Sequence, residues 1–309
     1  MEQNAKILVT GRAELIGAAL LRCLNRNSFS RLLTAEFNLT DQEQVGEFFN
    51  KERPDYVFLT SAKVGGILAN NTYPADFIYN NLMSEANVIH AAWKAGVKKL
   101  LFVGSSCIYP KNCPQPMREE YLLSGKLEPT SEPYAISKIA GVKMCQSYNR
   151  QFGTHFISAI PADAYGPDDD FDPETGHVQA ALMSRIHRAK TRGEAEVVVW
   201  GTGAPKREML YVDDLADACI FLMDNYDQSE IINVGSGEDI SIKDLGYLLK
   251  ESIRYEGKLT FDDSKPDGMP RKLLDTSKIS RLGWKPRTTP EKGIKETYKW
   301  YKEHYDMGE

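Results

Sequence analysis

Residues 5–17 read AKILVTGRAELIG, an aliphatic run followed by glycines at positions 11 and 17. The run 5–10 predicts a buried strand, and the residues after the first glycine predict a helix over about 14–26. A strand that turns at a glycine into a helix gathers the free N–H groups of the helix amino terminus at one point. In open parallel sheets that point holds a dinucleotide pyrophosphate. The stretch therefore predicts the first unit of an α/β fold with a candidate dinucleotide site.

The rest of the first half repeats this alternation. Asp41 is a favourable N-cap, and Pro74 and Gly96 stand where helices prefer to begin and end. Repeated strand–helix units build a doubly wound parallel sheet that is covered on both faces. The predicted strands lie near 32–33 and over 55–60, 99–104 and 156–160, and the predicted helices begin at 41 and span 74–96 and 132–152.

After Tyr165 the pattern becomes less regular. A proline- and acid-rich loop at 167–173 precedes a predicted helix over 178–192 and a predicted strand over 196–200. Residues 211–235 then indicate a helix and a strand that return to the main sheet. We therefore predict a dinucleotide-binding domain of residues 1–165 with 211–235, and a smaller C-terminal substrate-binding domain within 166–309.

Composition excludes several classes of protein. The chain has 309 residues, of which 42% are hydrophobic, enough for a sizeable core. Its net charge of −5 and the lack of a Lys/Arg-dense run argue against a nucleic-acid partner. Since no apolar run approaches the ~18 residues that span a bilayer and the start lacks a signal-peptide pattern, we expect a cytoplasmic protein without membrane contact. The five scattered cysteines predict reduced thiols and no metal site.

The turn after the first strand departs from the usual dinucleotide pattern. In a G-x-x-G-x-x-G turn the middle glycine lets the backbone approach the pyrophosphate, and this position is Glu14. A carboxylate beside two phosphates lowers affinity unless it points away or pairs with a cation such as Arg12. An ordinary capped helix without a ligand is the alternative.

A second group of residues indicates a particular chemistry more specifically than the glycine turn does. Ser105 follows the fourth predicted strand, and Tyr134 and Lys138 lie four residues apart on one face of the helix 132–152. The ammonium is expected to lower the pKa of the phenol from its usual ~10. Together the three side chains can bind and polarise a carbonyl oxygen and supply a proton as hydride arrives. The alternative, a solvated helix face, is disfavoured by the serine at the end of a parallel strand.

Six stretches carry a resemblance over essentially the whole chain. The sequence resembles the GDP-L-fucose synthase family of extended short-chain dehydrogenases/reductases. The resemblance implies a Rossmann-type fold, a homodimer formed through the helices 74–96 and 132–152, and NADPH-dependent conversion of GDP-4-keto-6-deoxy-D-mannose by epimerisation at C3 and C5 and reduction at C4. The stretches are 62–67, 70–78, 104–111, 132–141, 198–201 and 265–268.

The resemblance also implies roles for individual residues. Cys107 and His177 match the acid and base of epimerisation, although taken alone they would be a small buried hydrophobe and a helix-start residue. Without the resemblance, Arg185 and Arg207 would be surface charges and Trp200 a core residue. The positions matching the family's GDP-sugar site are Arg185, Trp200, Arg207 and Asp267, and those for NADP are Gly11, Arg12, Glu14, Leu15, Ile16, Gly17, Lys138, Pro161, Asp163 and His177.

The chain departs from the family at three places. The family loop G-H-R-G is replaced by residues 11–14, and Thr34 stands where a basic residue would hold the NADP 2′-phosphate. Glu36 can hydrogen-bond a ribose 2′-hydroxyl, which would favour NAD, or it is a solvated helix-start carboxylate. Asp163 replaces an asparagine that can donate to a ligand oxygen, and the acidic run 168–170 follows it.

These departures leave NADPH and NADH both open as cofactor, and they leave alternatives to the leading function. The leading hypothesis is the GDP-fucose-forming epimerase and reductase. A reductase or epimerase of a related GDP-keto-sugar is the second. A non-catalytic nucleotide-sugar-binding homologue with a decayed cofactor loop is the third.

Overall fold

The computed structural model describes residues 1–265 and 267–305, without the side chains of Ile67 and Leu68. Pro266, which belongs to one of the stretches listed above, lies outside the described residues, as do residues 306–309 of the predicted C-terminal domain. The strands of the described part are β1 Ile7–Val9, β2 Leu32–Thr34, β3 Tyr56–Leu59, β4 Lys99–Val103, β5 Phe156–Pro161, β6 Asp163–Tyr165, β7 Glu196–Trp200, β8 Lys206–Arg207, β9 Met209–Tyr211, β10 Ile232–Val234, β11 Ile240–Ser241, β12 Lys258–Asp262 and β13 Arg271–Lys272.

Six strands form the main sheet in the order β10-β5-β4-β3-β1-β2. Every neighbouring pair in it is parallel. All three residues of β1 and all six of β5 are buried, as expected for strands covered by helices on both faces. The chain passes from β1 to β2 on one side and then crosses over to β3 on the other side of β1, which makes the carboxyl ends of β1 and β3 the switch point of the sheet. The prediction of a doubly wound parallel sheet is confirmed.

The predicted helix signals are found at the helix ends. Asp41 is the N-cap of the second helix and accepts hydrogen bonds from the N–H groups of Glu43 and Gln44. Pro74 is the first residue of the fourth helix, and Gly96 ends it in the left-handed conformation at φ 72°. The helices are α1 Leu15–Arg26, α2 Gln42–Glu52, α3 Ile67–Thr72, α4 Pro74–Ala95, α5 Glu132–Phe152, α6 Val178–Arg192, α7 Val212–Asn225, α8 Ile242–Ile253, α9 Ser277–Arg281 and α10 Pro290–His304.

A second hydrophobic core lies beside the first. It is built around α6, α8 and α10, and it includes Met183, Leu249 and Ile294. Three small sheets accompany it, with β7 parallel to β12, β8 between β11 and β13, and β6 parallel to β9. Leu274 and Trp284, however, pack in the core of the main sheet. Because residues of the C-terminal part pack in both cores, the predicted boundary between the two domains at residue 165 stays a prediction.

Within residues 1–265 and 267–305, no helix is long and apolar enough to cross a bilayer. The same residues contain no group of His, Cys, Asp and Glu side chains that could hold a metal ion.

Candidate active site

A cavity of about 670 Å³ brings distant parts of the sequence together beyond the carboxyl edge of β4. Loops after the main sheet form one wall, and residues of the second core form the other. Each predicted catalytic residue except Lys138 lines it, and so does each predicted sugar-binding residue. The lining residues among the predicted set are Ser105, Cys107, Tyr134, Asp163, His177, Arg185, Trp200, Arg207 and Asp267.

Ser105 and Tyr134 meet at the floor of this cavity. Ser105 is the N-cap of a short 3-10 turn after β4, and its Oγ accepts a hydrogen bond from the N–H of Cys107 at 3.2 Å. Tyr134 lies in the first turn of α5 and is hydrogen bonded to the Ser105 side chain. A carbonyl oxygen placed between the two hydroxyl groups can therefore receive two hydrogen bonds.

The expected lowering of the Tyr134 pKa is wrong. Burial raises the pKa of Tyr134, and the nearby Cys107 and Glu85 raise it further, against the hydrogen bond from Ser105. The Lys138 ammonium lies 5.8 Å from the centre of the Tyr134 ring but only 3.0 Å from Glu85 Oε1. Burial, together with the nearby Cys107 and Glu85, therefore keeps the proton on the phenol, which suits a proton donor.

Glu85 is a functional residue that sequence reasoning missed. It is fully buried on α4, and its partner Lys138 is only 2% exposed and also donates to the carbonyl of Val103 at 3.2 Å. Phe77, Asn81, Glu85 and Val88 are buried along α4 at helical spacing, so the signal was a carboxylate within the core-facing stripe. A charge in such a position requires a buried partner of opposite sign.

Cys107 lies beside an ion pair that the sequence did not reveal. Lys272 Nζ is 4.0 Å from Cys107 Sγ and 3.0 Å from Asp163 Oδ1. Burial alone would raise the pKa of Asp163, but Lys272, Arg207 and His177 outweigh it and lower that pKa. Asp163 is therefore an ionised partner of Lys272 in place of the amide expected at this position, and the same ammonium lies beside the Cys107 sulfur.

His177 is held by an acidic partner. It is the N-cap of α6, and its Nδ1 lies 4.0 Å from Asp169 Oδ1. The hydrogen bond to Asp169 raises the pKa of His177, and burial opposes this only in part. The raised pKa favours the protonated imidazole, which can donate a proton into the cavity.

Asp168 and Asp170 of the acidic run 168–170 are bound by neighbouring side chains. Arg22 of α1 pairs with Asp168 and, through its other terminal nitrogen, with Asp213 at 3.0 Å. Thr175 donates its hydroxyl to Asp170 at 3.4 Å. The run therefore fixes the loop before α6 and holds it to α1.

The opposite wall carries the predicted GDP-sugar residues. Arg207 donates to the carbonyl of Met269 at 2.7 Å, and Arg185 donates to the carbonyl of Val198. Trp200 is 58% exposed, which is unusual for a tryptophan and leaves its ring available to a ligand. Asp267 accepts hydrogen bonds from the N–H and the hydroxyl of Thr202 at 2.7 and 2.8 Å.

The loop after β1 adjoins a second cavity of about 430 Å³, which Gly11, Arg12 and Glu14 line. Gly11 has φ 67°, and a Cβ at Gly17 would overlap the carbonyl oxygen of Gly11. These two positions therefore require glycine. Glu14 is the N-cap of α1, but its carboxylate turns away from the helix, and Arg12 pairs with Glu36 instead of Glu14.

Other predicted cofactor residues lie in the surrounding framework. Leu15 and Ile16 pack against the main core, and Pro161 is buried at the end of β5, where it is in register with Val234. Thr34 is the last residue of β2. None of these four residues lines either cavity.

Comparison with known proteins places the chain among sugar-nucleotide enzymes. The model of the NAD dependent epimerase/dehydratase family matches residues 7–235. GDP-L-fucose synthase 1 of Arabidopsis thaliana is 55% identical over 303 residues, covering 97% of this chain and 94% of that protein. GDP-L-fucose synthase of Escherichia coli K12 is 48% identical and covers 97% of this chain and 98% of its own. This chain belongs to the GDP-L-fucose synthase family.

A solved structure supports the same placement. The GDP-mannoheptose C4 reductase from Campylobacter jejuni, solved with NADP bound, has a TM-score of 0.90 and 39% identity, covering 98% of this chain and 99% of that one. In the present chain, itself a member of the GDP-L-fucose synthase family, Gly11 and Gly17 leave room for a bound dinucleotide. The unused N–H groups at the start of α1 suit its phosphates. The Glu14 carboxyl group lies at the same loop.

Gly201 offers a test of the sugar-binding wall. It has φ 84°, and a Cβ there would overlap Asp267 Oδ1, whereas Gly193 has a similar φ of 64° with open space around its Cβ position. We expect Gly201→Ala to displace Asp267 and Trp200 and to raise the KM for the GDP-sugar about tenfold, which corresponds to about 1.4 kcal/mol. Gly193→Ala, the control, should cost about 1–2 kcal/mol of stability through backbone strain without changing KM. Equal KM values for the two variants would contradict this assignment.

Proposed function

We propose that this protein converts GDP-4-keto-6-deoxy-D-mannose to GDP-L-fucose with NADPH, by epimerisation at C3 and C5 and reduction of the C4 ketone. The observation that carries the proposal is the meeting of two chemical pairs in one cavity. Ser105 and Tyr134 can stabilise an oxyanion and donate a proton, while Cys107 and His177 can exchange protons at carbon. A simple reductase would need only the first pair.

In the epimerisation, Cys107 and His177 act on carbons next to the ketone. Cys107, which lies beside the Lys272 ammonium, acts as the base that removes the proton from C3 or C5. His177, whose pKa is raised by Asp169, returns a proton to the opposite face of the same carbon. Inversion follows because removal and return occur on different faces.

Both proton removals yield an enolate whose negative charge lies on the C4 oxygen. Ser105 and Tyr134 are hydrogen bonded to each other at the place where that oxygen would lie, so one site serves both inversions. Lys138 and Glu85 hold the base of α5 against β4 and thereby fix Tyr134.

The same site then performs the reduction. NADPH, when bound, supplies the hydride to C4. Tyr134 donates its proton to the C4 oxygen, and its raised pKa means that the proton remains on the phenol until the oxygen becomes basic. The cavity wall of Arg185, Trp200, Arg207 and Asp267 binds the GDP moiety and the sugar, with the arginines facing the diphosphate.

The direct test is incubation of the purified protein with the keto-sugar nucleotide and NADPH in D₂O. We expect NADPH oxidation, a product with the L-galacto configuration by NMR, and deuterium at C3 and C5. NADPH oxidation without deuterium at either carbon would leave only a reductase. An unchanged cofactor and an unexchanged substrate would refute the proposal.

The pairing of Asp169 with His177 predicts a shift in pH dependence. If His177 must be protonated to act, epimerisation is lost as pH rises through its pKa, which Asp169 raises. Asp169→Asn removes that stabilisation, so the loss should occur at lower pH. The measurement is the rate of deuterium incorporation from solvent against pH. Asp172→Asn, on the exposed part of the same loop, should keep the wild-type profile, and an unshifted profile for Asp169→Asn would rule out this role.

A related GDP-keto-sugar is the second candidate substrate. The Asp163–Lys272 pair beside Cys107 replaces the expected amide, and it can change which ring substituents fit near that thiol. The 39% identical Campylobacter jejuni protein is a reductase of a GDP-mannoheptose. Substrate profiling decides between the fucose precursor and a related GDP-keto-sugar. A clear preference for the fucose precursor would exclude the second candidate.

We also infer that the protein acts as a cytoplasmic homodimer. The exposed apolar side chains of Tyr79 on α4 and Ile136 and Phe152 on α5 support pairing through these two helices. Its free cysteines support a reducing compartment. Light scattering that returned the mass of a single chain would contradict the dimer.

A further inference from the structure

The Glu14 carboxylate occupies a defined place at the switch point of the main sheet. One oxygen accepts a hydrogen bond from Ser61 Oγ at 2.8 Å and the other from the N–H of Ala62 at 3.1 Å, both just after β3. A Cβ at Gly11 would come within 2.9 Å of the Glu14 carboxyl carbon, so the group lies directly over the turn after β1. The carboxylate thus bridges the ends of β1 and β3.

This is also the place that a dinucleotide pyrophosphate requires. In an open parallel sheet the phosphates lie at the switch point, against the N–H groups of the first helix. The Glu14 side chain makes no capping hydrogen bond to α1, so those N–H groups stay directed at the same space. A phosphate and an ionised Glu14 would therefore place two negative groups at one point with little water between them.

We infer that Glu14 couples cofactor binding to the uptake of one proton, so that the NADPH pyrophosphate binds when this carboxyl group is neutral. The inference rests on the proposed NADPH-dependent function and goes beyond it. The proton comes from solvent and remains on Glu14 while the cofactor is bound. Cofactor affinity is then controlled by pH through a residue that takes no part in the reaction.

The surroundings of Glu14 favour its neutral form. Burial raises the pKa of Glu14, and the hydrogen bonds from Ala62 and Ser61 and the charge of Lys138 oppose this without cancelling it. Lys138 on α5 is itself paired with Glu85 of α4. The other charged or titratable groups around the site are Arg12, which pairs with Glu36, Lys63, which pairs with Asp76, and the protonated Tyr134.

The sign of the pH effect follows from linkage. A bound pyrophosphate raises the pKa of Glu14 further, so the complex holds a proton that the free protein loses at lower pH. Between these two pKa values the affinity falls by up to about tenfold for each unit of pH increase. Below the pKa of the free protein the affinity no longer depends on Glu14.

The test is titration calorimetry of the full-length protein with NADPH between pH 7 and 9. This range lies above the second phosphate pKa of ~6, so the 2′-phosphate keeps a constant charge. Measurements in two buffers with different ionisation enthalpies give the number of protons taken up. The variants are Glu14→Gln and Glu14→Gly, and the control is Glu36→Gln, which removes a carboxylate that pairs with Arg12 at the same loop.

We expect the wild-type protein to take up close to one proton and to lose affinity as pH rises. Glu14→Gln and Glu14→Gly should bind NADPH at least about tenfold more tightly at the upper end of the range, with a flat pH profile and no proton uptake. Glu36→Gln should keep the wild-type slope. A flat wild-type profile without proton uptake, or Glu14 variants that bind no more tightly, would overturn the inference and leave the proposed function standing. If neither the wild-type protein nor any variant binds NADPH, the proposed function fails as well.

Discussion

Tyr134→Phe is expected to lower kcat for reduction of the C4 ketone by about 10²–10⁴-fold, the usual contribution of a positioned proton donor. The phenol is one of the two hydroxyl groups that form the oxyanion site, and burial keeps it protonated. Phenylalanine has nearly the same shape, so the cavity and the GDP-sugar wall should persist and KM should change little. The rate of NADPH oxidation with an already epimerised substrate measures this step.

Tyr247→Phe is the matched control, because Tyr247 is exposed on α8. It should leave kcat unchanged. A Tyr134→Phe protein that reduces the ketone at the wild-type rate would show that another group delivers the proton. Deuterium incorporation at C3 and C5 should be affected less than reduction, since Ser105 still stabilises the enolate.

Cys107→Ser is expected to lower solvent-deuterium incorporation at C3 and C5 by about 10²–10⁴-fold. A hydroxyl is far less acidic than a thiol, and the Lys272 ammonium at 4.0 Å cannot make it a useful base at neutral pH. Reduction of an already epimerised substrate should stay within a few-fold of wild type, because it depends on Ser105 and Tyr134. NMR of the recovered sugar measures exchange, and NADPH oxidation measures reduction.

Cys113→Ser serves as the control, since Cys113 is a buried thiol on the loop after the 3-10 turn. It should change neither assay. Loss of both activities to the same extent in Cys107→Ser would remove the distinct role of this thiol and indicate a general disturbance of the site.

The main sheet was predictable because its strands are buried on both faces and its helices carry local signals. Asp41, Pro74 and Gly96 act through their own backbone or side chain, so their effects are visible without knowledge of the fold. The strands β8, β11 and β13 have two residues each, which is too short for any periodicity. They form only because the second core brings them together, and α3 was likewise not predicted.

The contact between Ser105 and Tyr134 could be predicted from the sequence, because a parallel sheet brings the end of a strand and the start of the next helix to one edge. The charge state of Tyr134 did not follow, since it depends on how deeply the phenol is buried and on Glu85 from another helix. Lys272 was missed for the same reason. Its contacts with Asp163 and Cys107 cross 109 and 165 residues of sequence, and no local pattern encodes them.

The ion pairs of Arg22 connect helix α1, which follows the cofactor loop, to the loop before α6. Arg22 belongs to α1, whose first turn faces the cofactor loop, and it holds Asp168, the residue before the partner of His177. Through this guanidinium the helix beside the cofactor loop is bound to the loop that precedes His177. The position of the proposed epimerisation acid is in this way tied to the position of helix α1.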